Sequence, residues 1–179
     1  MKFSTRARYA LRMMLAVARS SEGGGPVSMT VISRDTGISK SYLEQLAIPL
    51  RSAGLLHGRA GRSGGYTLAK PSSEIRAREI IEAAIGPIDL VECVGDPDLC
   101  VRAEECRTRL LWATVTSRVR SALEEFSLAD LNDAGHLQDM RQTLGTDLVM
   151  PRREGSKGMR TICEPSESRG PKKKPGSRS

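Results

Sequence analysis

Apolar residues near the N-terminus recur at helical spacing. Two rows have intervals of four: Tyr9, Met13 and Val17, and Ala10, Met14 and Ala18. This period predicts an amphipathic helix over residues 4–20. Its apolar run, 13–18, lies between Arg12 and Arg19 and is shorter than the ~7–15 residues usual in a signal peptide. No stretch reaches the ~20 apolar residues that cross a bilayer, so we expect a cytoplasmic protein with no membrane partner.

Two further short helices follow in the pattern of a helix-turn-helix. Ser28 is placed to cap the first helix and Gly37 to close it in the left-handed conformation. Ser39 is placed to cap the next helix, which we expect to end at Gly54. Pro49 lies inside that helix, where a proline removes one backbone hydrogen bond and bends or breaks the helix.

A glycine-rich segment then separates two short extended runs, 55–57 and 66–68. The segment 58–65 contains four glycines together with Arg59 and Arg62, which is typical of a hairpin with a basic tip. A hairpin directly after a helix-turn-helix predicts a wing.

The C-terminal half has a different pattern. Helical spacing returns over Ile75 to Ile85, is lost over 88–106, and returns in a long helix over 107–126. After Leu131 the period fades into a basic segment that we expect to be disordered. The predicted fold class is mainly α with a small β-hairpin wing.

Charge divides the chain into three parts. Residues 1–70 carry eleven Lys/Arg and three Asp/Glu (+8), residues 71–150 eight and fifteen (−7), and residues 151–179 nine and three (+6), which gives the net charge of +7. A basic N-terminal part indicates contact with a polyanion. Aromatic residues make up 3% of the chain, too few for a base-stacking platform on single strands, so duplex DNA is the predicted partner.

The start of the third helix and the hairpin tip provide suitable side chains for DNA. Gln45 can pair with adenine and Glu44 can accept from cytosine, while serine hydroxyls can reach bases or phosphates. Arginines on a glycine-rich loop suit phosphate or minor-groove contact. The candidate DNA contacts are Ser39, Lys40, Ser41, Glu44, Gln45, Arg59 and Arg62.

The same hairpin contains a Gly-x-Ser-x-Gly sequence at 61–65. In hydrolases this sequence follows a strand, precedes a helix and works with a downstream acid and histidine. Here a strand follows it, and His136 is the one histidine downstream. We therefore predict that the protein is not an enzyme.

Three cysteines, Cys93, Cys100 and Cys106, cluster in the segment without helical period. Soft thiolates bind zinc, copper or iron–sulfur clusters. Compact zinc sites prefer cysteine pairs two to four residues apart, so the C-x6-C-x5-C spacing favours an iron–sulfur cluster over zinc. Three unconnected cysteines remain the alternative, since cytosolic cysteines seldom form structural disulfides. Cys163, in the basic tail, is expected to be an idle thiol.

In combination, these motifs resemble the Rrf-two family of transcription regulators, in particular its IscR/NsrR-like iron–sulfur branch. The resemblance covers roughly residues 1–131. The motifs are Arg8-Tyr9-Ala10-Leu11, Gly37-Ile38-Ser39, Ser41-Tyr42-Leu43-Glu44-Gln45-Leu46, Leu50-Arg51-Ser52-Ala53-Gly54-Leu55, Gly64-Gly65-Tyr66-Thr67-Leu68-Ala69, and the cysteine loop followed by Leu111-Trp112.

The resemblance implies a winged-helix homodimer whose long C-terminal helices pair and place two recognition helices on a palindromic operator. It also implies a [2Fe–2S] or [4Fe–4S] cluster on the three cysteines. Relatives complete the cluster with a histidine three residues after the last cysteine or with an N-terminal acid, but Arg109 and Arg8 stand there. The fourth ligand stays open among Asp96, Asp98, Glu104, Glu105 and an external thiol.

The sequence thus predicts a winged helix-turn-helix domain (1–86), a cysteine cluster loop (87–106), a dimerisation helix (107–131) and a disordered basic tail (132–179). The predicted function is a DNA-binding transcriptional regulator whose operator affinity depends on the cluster. One alternative replaces the cluster with a thiol-redox or zinc site. Another is a helical interaction adaptor that does not bind DNA.

Overall fold

The computed structural model describes residues 4–21, 25–61 and 63–144. Two short 3-10 helices span Ser72–Glu74 and Pro97–Leu99. The predicted fold class, mainly α with a small hairpin wing, is confirmed. The elements are α1 (Thr5–Ser20), α2 (Met29–Thr36), α3 (Lys40–Ser52), β1 (Leu56–Arg59), β2 (Gly65–Leu68), α4 (Ala77–Ile85), α5 (Glu92–Gly95), α6 (Arg107–Glu125) and α7 (Ala134–Leu144).

Helix α1 lies at the centre of the hydrophobic core. Met13, Met14 and Val17 have no exposed surface, because α2, α3, α4 and β2 all pack against this helix. The apolar period that predicts α1 therefore marks a core helix. Across the described ranges, every helix is too short or too polar to span a bilayer.

Helices α2 and α3 form the predicted helix-turn-helix. The Ser28 hydroxyl accepts from the backbone N–H of Val31 at 3.4 Å and caps α2. Gly37 ends α2 with a φ of 70°, a left-handed conformation that glycine adopts at little cost. Ile32 and Leu43 bury the inner faces of the two helices in one core.

Two details of α3 differ from prediction. The Ser39 side chain makes no capping hydrogen bond, so the residue holds the N-cap position through its backbone alone. Pro49 does not break the helix, which continues to Ser52 and ends before Gly54. A proline near the C-terminal end costs one backbone hydrogen bond, and burial of Leu46 and Leu50 on either side holds the helix in place.

The wing is an antiparallel hairpin with Leu56 opposite Leu68 and Arg59 opposite Gly65. Val27 extends it by one bridge, exchanging two backbone hydrogen bonds of 2.9 Å with Tyr66. A Cβ on Gly65 would lie 2.3 Å from the Val27 carbonyl oxygen, so the bridge requires glycine there. The wing is thereby fixed to the segment that leads into α2.

The end of α6 is tied back to the start of α4. The Ala77 N–H donates to the Phe126 carbonyl at 2.9 Å, and the Leu128 N–H donates to the Ile75 carbonyl at 2.8 Å. Leu128 is fully buried in the main core. Helix α4 begins at Ala77 rather than at the predicted Ile75, because Ile75 is held extended by this pairing.

The predicted disordered tail is corrected over α7, Ala134–Leu144. The Asp133 carboxylate accepts from the His136 N–H at 2.6 Å, and the His136 ring meets Phe126 edge-on at 6.1 Å between centroids. A hydrogen bond at the start of α7 and a ring contact with the end of α6 therefore explain order that a local hydrophobic period does not reveal. The rest of the predicted tail, with Cys163, lies outside the described residues, and the four domain boundaries stay predictions.

Candidate nucleic-acid interface and cysteine loop

One face of α3 is buried and the other is exposed. Leu43, Leu46, Ala47 and Leu50 pack into the core. The structure brings five of the predicted contacts together on the opposite, exposed side: Ser39, Lys40, Ser41, Glu44 and Gln45. The hydroxyls of Ser39 and Ser41 are 3.5 Å apart. Because Ser39 does not cap the helix, its hydroxyl remains available to an external partner.

Arg59 lies at the exposed end of β1, at the wing tip. The other predicted arginine of the tip, Arg62, lies outside the described residues. Some other basic side chains of the DNA-binding head, residues 1–86, have acidic partners, as in the 3.0 Å pair between Arg19 and Asp35. Across 4–21, 25–61 and 63–144, neither Lys40 nor Arg59 has such a partner. Their charges are therefore free to meet phosphates.

The three cysteines of the loop are free and half-buried. Cys93 lies in α5, Cys100 ends the 3-10 helix, and Cys106 directly precedes α6. The Cys106 sulfur is 3.1 Å from the Thr108 hydroxyl. This hydroxyl, followed by the backbone N–H of Arg109, lowers the pKa of the Cys106 thiol from its usual value, which favours the thiolate that binds metals.

The donor set suits a thiolate-bound metal or cluster in its chemistry. The geometry does not yet match this chemistry. In the part of the chain that the structure describes, no group of three Cys, His, Asp or Glu side chains is arranged to hold a metal ion. The candidate fourth ligands Asp96, Asp98, Glu104 and Glu105 are exposed, and the structure does not single out one of them.

The two arginines at the family's fourth-ligand positions have other contacts. The Arg109 Nε donates to the Cys93 carbonyl at 2.8 Å and ties α5 to the start of α6. The Arg8 guanidinium donates to the Thr5 hydroxyl at 3.1 Å. A guanidinium stays protonated and is not a metal ligand, so both positions serve structure in this chain.

Two further residues of α6, which are not among the residues predicted from the sequence, hold the cysteine loop. The buried Thr116 hydroxyl accepts from the Leu90 N–H at 3.4 Å. The Arg120 guanidinium donates to the Ile88 carbonyl and to the Asp89 carboxylate, both at 3.0 Å. The signal available in the sequence was the spacing of Arg109, Thr116 and Arg120, which places them on one helical face.

Arg120 also connects this loop to the DNA-binding head. Its Nε is 3.8 Å from a carboxylate oxygen of Glu82 in α4. The same oxygen accepts from the Ile88 N–H at 3.4 Å, while the other Glu82 oxygen pairs with Arg78 at 3.1 Å. Head, loop and α6 therefore meet in one hydrogen-bonded ion-pair network, defined here as Arg78, Glu82, Asp89 and Arg120.

A helix-turn-helix with a wing and an exposed polar and basic face defines the class of winged-helix DNA-binding proteins. Residues 3–134 match the model of the Rrf2 (Rrf-two) family, described as "Iron-dependent Transcriptional regulator". The match covers most of the chain, and the chain belongs to this family.

Relatives that share 30% or more of their sequence with this chain agree with the family assignment. The HTH-type transcriptional regulator IscR of Vibrio atlanticus is 36% identical over 150 residues, which are 84% of this chain and 86% of the relative. The structure of CymR, the global cysteine regulator of B. subtilis, matches with 37% identity and a TM-score of 0.60, over 74% of this chain and 96% of that one. The T. potens IscR structure matches with 30% identity and a TM-score of 0.59, over 81% and 92%.

These relatives are transcriptional regulators, so the chain is a DNA-binding transcriptional regulator and not an enzyme. This also decides against the adaptor alternative. The relatives carry the names of both IscR and a cysteine regulator, so family membership leaves the sensed signal open.

Proposed function

We propose that this regulator binds a palindromic operator as a homodimer and that an iron–sulfur cluster on its cysteine loop controls this binding. The observation that carries the proposal is the position of the loop. Three free, half-buried thiols lie on one segment that is hydrogen-bonded to α6 and, through Glu82, to α4.

Cys93, Cys100 and Cys106 are the residues that would hold the cluster. When bound, a cluster supplies iron whose oxidation state and occupancy respond to iron, oxygen or nitric oxide. The lowered pKa of the Cys106 thiol supports the proposal because the thiolate is the ligating form. One of the exposed carboxylates Asp96, Asp98, Glu104 and Glu105, or an external thiol, completes the set.

The ion-pair network provides the route from the loop to DNA. A change in the order of residues 88–106 acts on Ile88 and Asp89, which Arg120 and Glu82 hold. Glu82 belongs to α4, and α4 packs against α1 and α3. The loop therefore acts on the orientation of the recognition helix through contacts of this chain alone.

Pairing of two copies through α6 is part of the proposal. Leu110, Leu111 and Trp112 are exposed to 68%, 59% and 39%, although large apolar side chains are normally covered. A two-fold axis beside α6 would bury exposed apolar side chains of α6 from both copies and place two α3 helices on successive major grooves. A palindromic operator follows from that symmetry.

The test is anaerobic purification with assay of iron, sulfide and visible absorbance. We expect coloured protein with equal amounts of iron and acid-labile sulfide, because both cluster types contain them in equal number. Cys100→Ala should abolish the colour. Cys163→Ala, which removes a thiol outside the loop, should retain it.

A colourless wild type that still regulates transcription would overturn cluster control and leave DNA binding intact. Zinc without sulfide in that preparation would identify the zinc site. Metal-free protein whose operator affinity changes with thiol oxidation would identify a redox switch. The position of Cys93, Cys100 and Cys106 on one loop favours either outcome over unconnected thiols.

A further inference from the structure

A second surface lies beside the predicted DNA contacts and contains none of them. It is an open groove of about 490 Å³ between the end of α3 and β1. Its lining residues are Ile48, Arg51, Ser52, Leu56, His57 and Gly58.

Arg51 lies against the bare backbone of Gly58. A Cβ on Gly58 would be 3.3 Å from the Arg51 Nε and 3.5 Å from its Cζ, a closer approach than side chains usually make. Gly58 does not have a positive φ, so backbone conformation does not require glycine at this position. The close approach of the guanidinium explains it better.

The Arg51 guanidinium carries a positive charge. In the described part of the chain it has neither a salt bridge nor a side-chain hydrogen bond. None of the described residues that line the groove is acidic; Glu44 is the acid on the same helix, about two turns earlier. An exposed arginine beside an acid-free groove has the charge and geometry to bind a phosphate.

The duplex supplies the occupant. A recognition helix lies in the major groove, and a wing arginine reaches the adjacent minor groove. One sugar–phosphate strand separates these two grooves, so it must cross the surface between α3 and the wing. That surface is the groove at Arg51.

We propose that this groove holds the DNA strand between the two grooves and that Arg51 binds one of its phosphates, positioned by Gly58. The inference rests on the proposed operator binding. It adds a phosphate contact at the C-terminal end of α3, beyond the base contacts predicted for its N-terminal end. Such a contact fixes the register of the helix on the duplex and carries no sequence information itself.

The test uses a duplex selected by the wild-type dimer from a random-sequence library. Single methylphosphonates then neutralise each backbone phosphate in turn. We expect one phosphate whose neutralisation weakens wild-type binding about tenfold, as for a hydrogen bond to a charged group. Arg51→Gln should weaken binding by a similar factor and reduce the slope of log K against log salt by about one. Neutralising that phosphate should not weaken binding of the variant any further.

Two other variants sharpen the result. Gly58→Ala should act in the same direction as Arg51→Gln, because the added Cβ displaces the guanidinium. Arg141→Gln, which removes the same charge from an exposed position on α7, should leave affinity unchanged.

Normal operator affinity and salt slope for Arg51→Gln would overturn the inference and leave the proposed function standing. Equal sensitivity of Arg51→Gln and wild type at every phosphate would overturn it as well. A wild type that selects no duplex would overturn the proposed function and this inference together.

Discussion

The DNA-binding head and the long helix behind it bury their apolar residues in different ways. In α1, eight of 16 residues are buried, whereas in the 19 residues of α6 Thr116 is the one that is. Leucines of the head lie in the core, while Leu110 and Leu111 of α6 face outward. The head thus completes its core within one chain, whereas large apolar side chains of α6 are exposed in the single chain and would be covered in the proposed dimer.

The contacts between these two regions combine a small apolar cluster with a polar seam. A small apolar cluster of Ala7, Ile81 and Ile88 receives Val119 and Leu123 from α6. Around it, the ion-pair network and the backbone pairing near Leu128 hold α6 to α4. A polar seam can rearrange at lower cost than a close-packed core, as the proposed route from the cysteine loop to DNA requires.

The largest expected effect comes from opening the core of the head. Leu46 is 1% exposed, and Leu46→Ala should lower the free energy of unfolding by ~2–5 kcal/mol through lost burial and the cavity left behind. Leu110→Ala in dilute protein should change it by about 0.5 kcal/mol or less. Urea denaturation measures both, and equal losses would contradict the contrast between the two regions.

A charge on the exposed face of α6 should disrupt pairing of two copies. We expect Leu111→Glu to weaken the dimer by ~30-fold or more, the effect of losing a central interface residue, without unfolding the head. Sedimentation velocity measures the dissociation constant. Leu144→Glu, at an exposed leucine of α7, is the matched control, and a wild type that stays monomeric at high concentration would refute pairing through α6.

Cutting the polar seam should uncouple the two regions. Arg120→Met removes the links to Ile88, Asp89 and Glu82. A coupling of ~1–3 kcal/mol corresponds to a ~5–150-fold difference in operator affinity between cluster-loaded and cluster-free protein, and we expect this difference to fall several-fold in the variant. Arg118→Met, at an exposed neighbour, should retain it; an unchanged difference in Arg120→Met would exclude this route.

The smallest expected effect concerns the turn that joins α6 to the core. The Ser127 hydroxyl and N–H donate to the Asp130 carboxylate at 2.7 and 2.8 Å and lower the pKa of Asp130 below its usual 3.8. A carboxyl group with a lowered pKa in the folded state stabilises the fold at pH values above its pKa in the unfolded state. This stabilisation is lost as the pH falls through the pKa of the folded state. The stability gap between wild type and Asp130→Asn should therefore shrink below about pH 4.

Urea denaturation between pH 7 and pH 3 measures this gap. Asp139→Asn, which changes an exposed carboxylate of α7, should show no comparable dependence. A gap for Asp130→Asn that does not vary with pH would show that the Ser127 contacts do not depend on charge.

Local patterns predicted the head well. The period of four in α1 and the glycine at Gly37 are short-range features, and the structure has them where expected. The start of α4 depends instead on backbone pairing with Phe126 and Leu128, about 50 residues further along the chain. Helix α7 depends on the contact between Phe126 and His136. A local period carries no information about such partners.

The candidate site divides in the same way. Residue type and spacing identified the exposed side chains of α3 and the cysteine loop. They did not identify Arg120 or Thr116, whose hydrogen-bond partners lie about 30 residues away in sequence. They also did not identify Arg51, because its closeness to Gly58 is created by the packing of α3 on the wing.

The most direct test of the account is the operator dissociation constant, measured anaerobically by fluorescence anisotropy for iron-loaded and iron-free protein. We predict dissociation constants that differ at least ~5-fold for wild type and coincide for Cys100→Ala. Equal dissociation constants for loaded and iron-free wild type would contradict the claim that the cysteine loop governs binding to DNA.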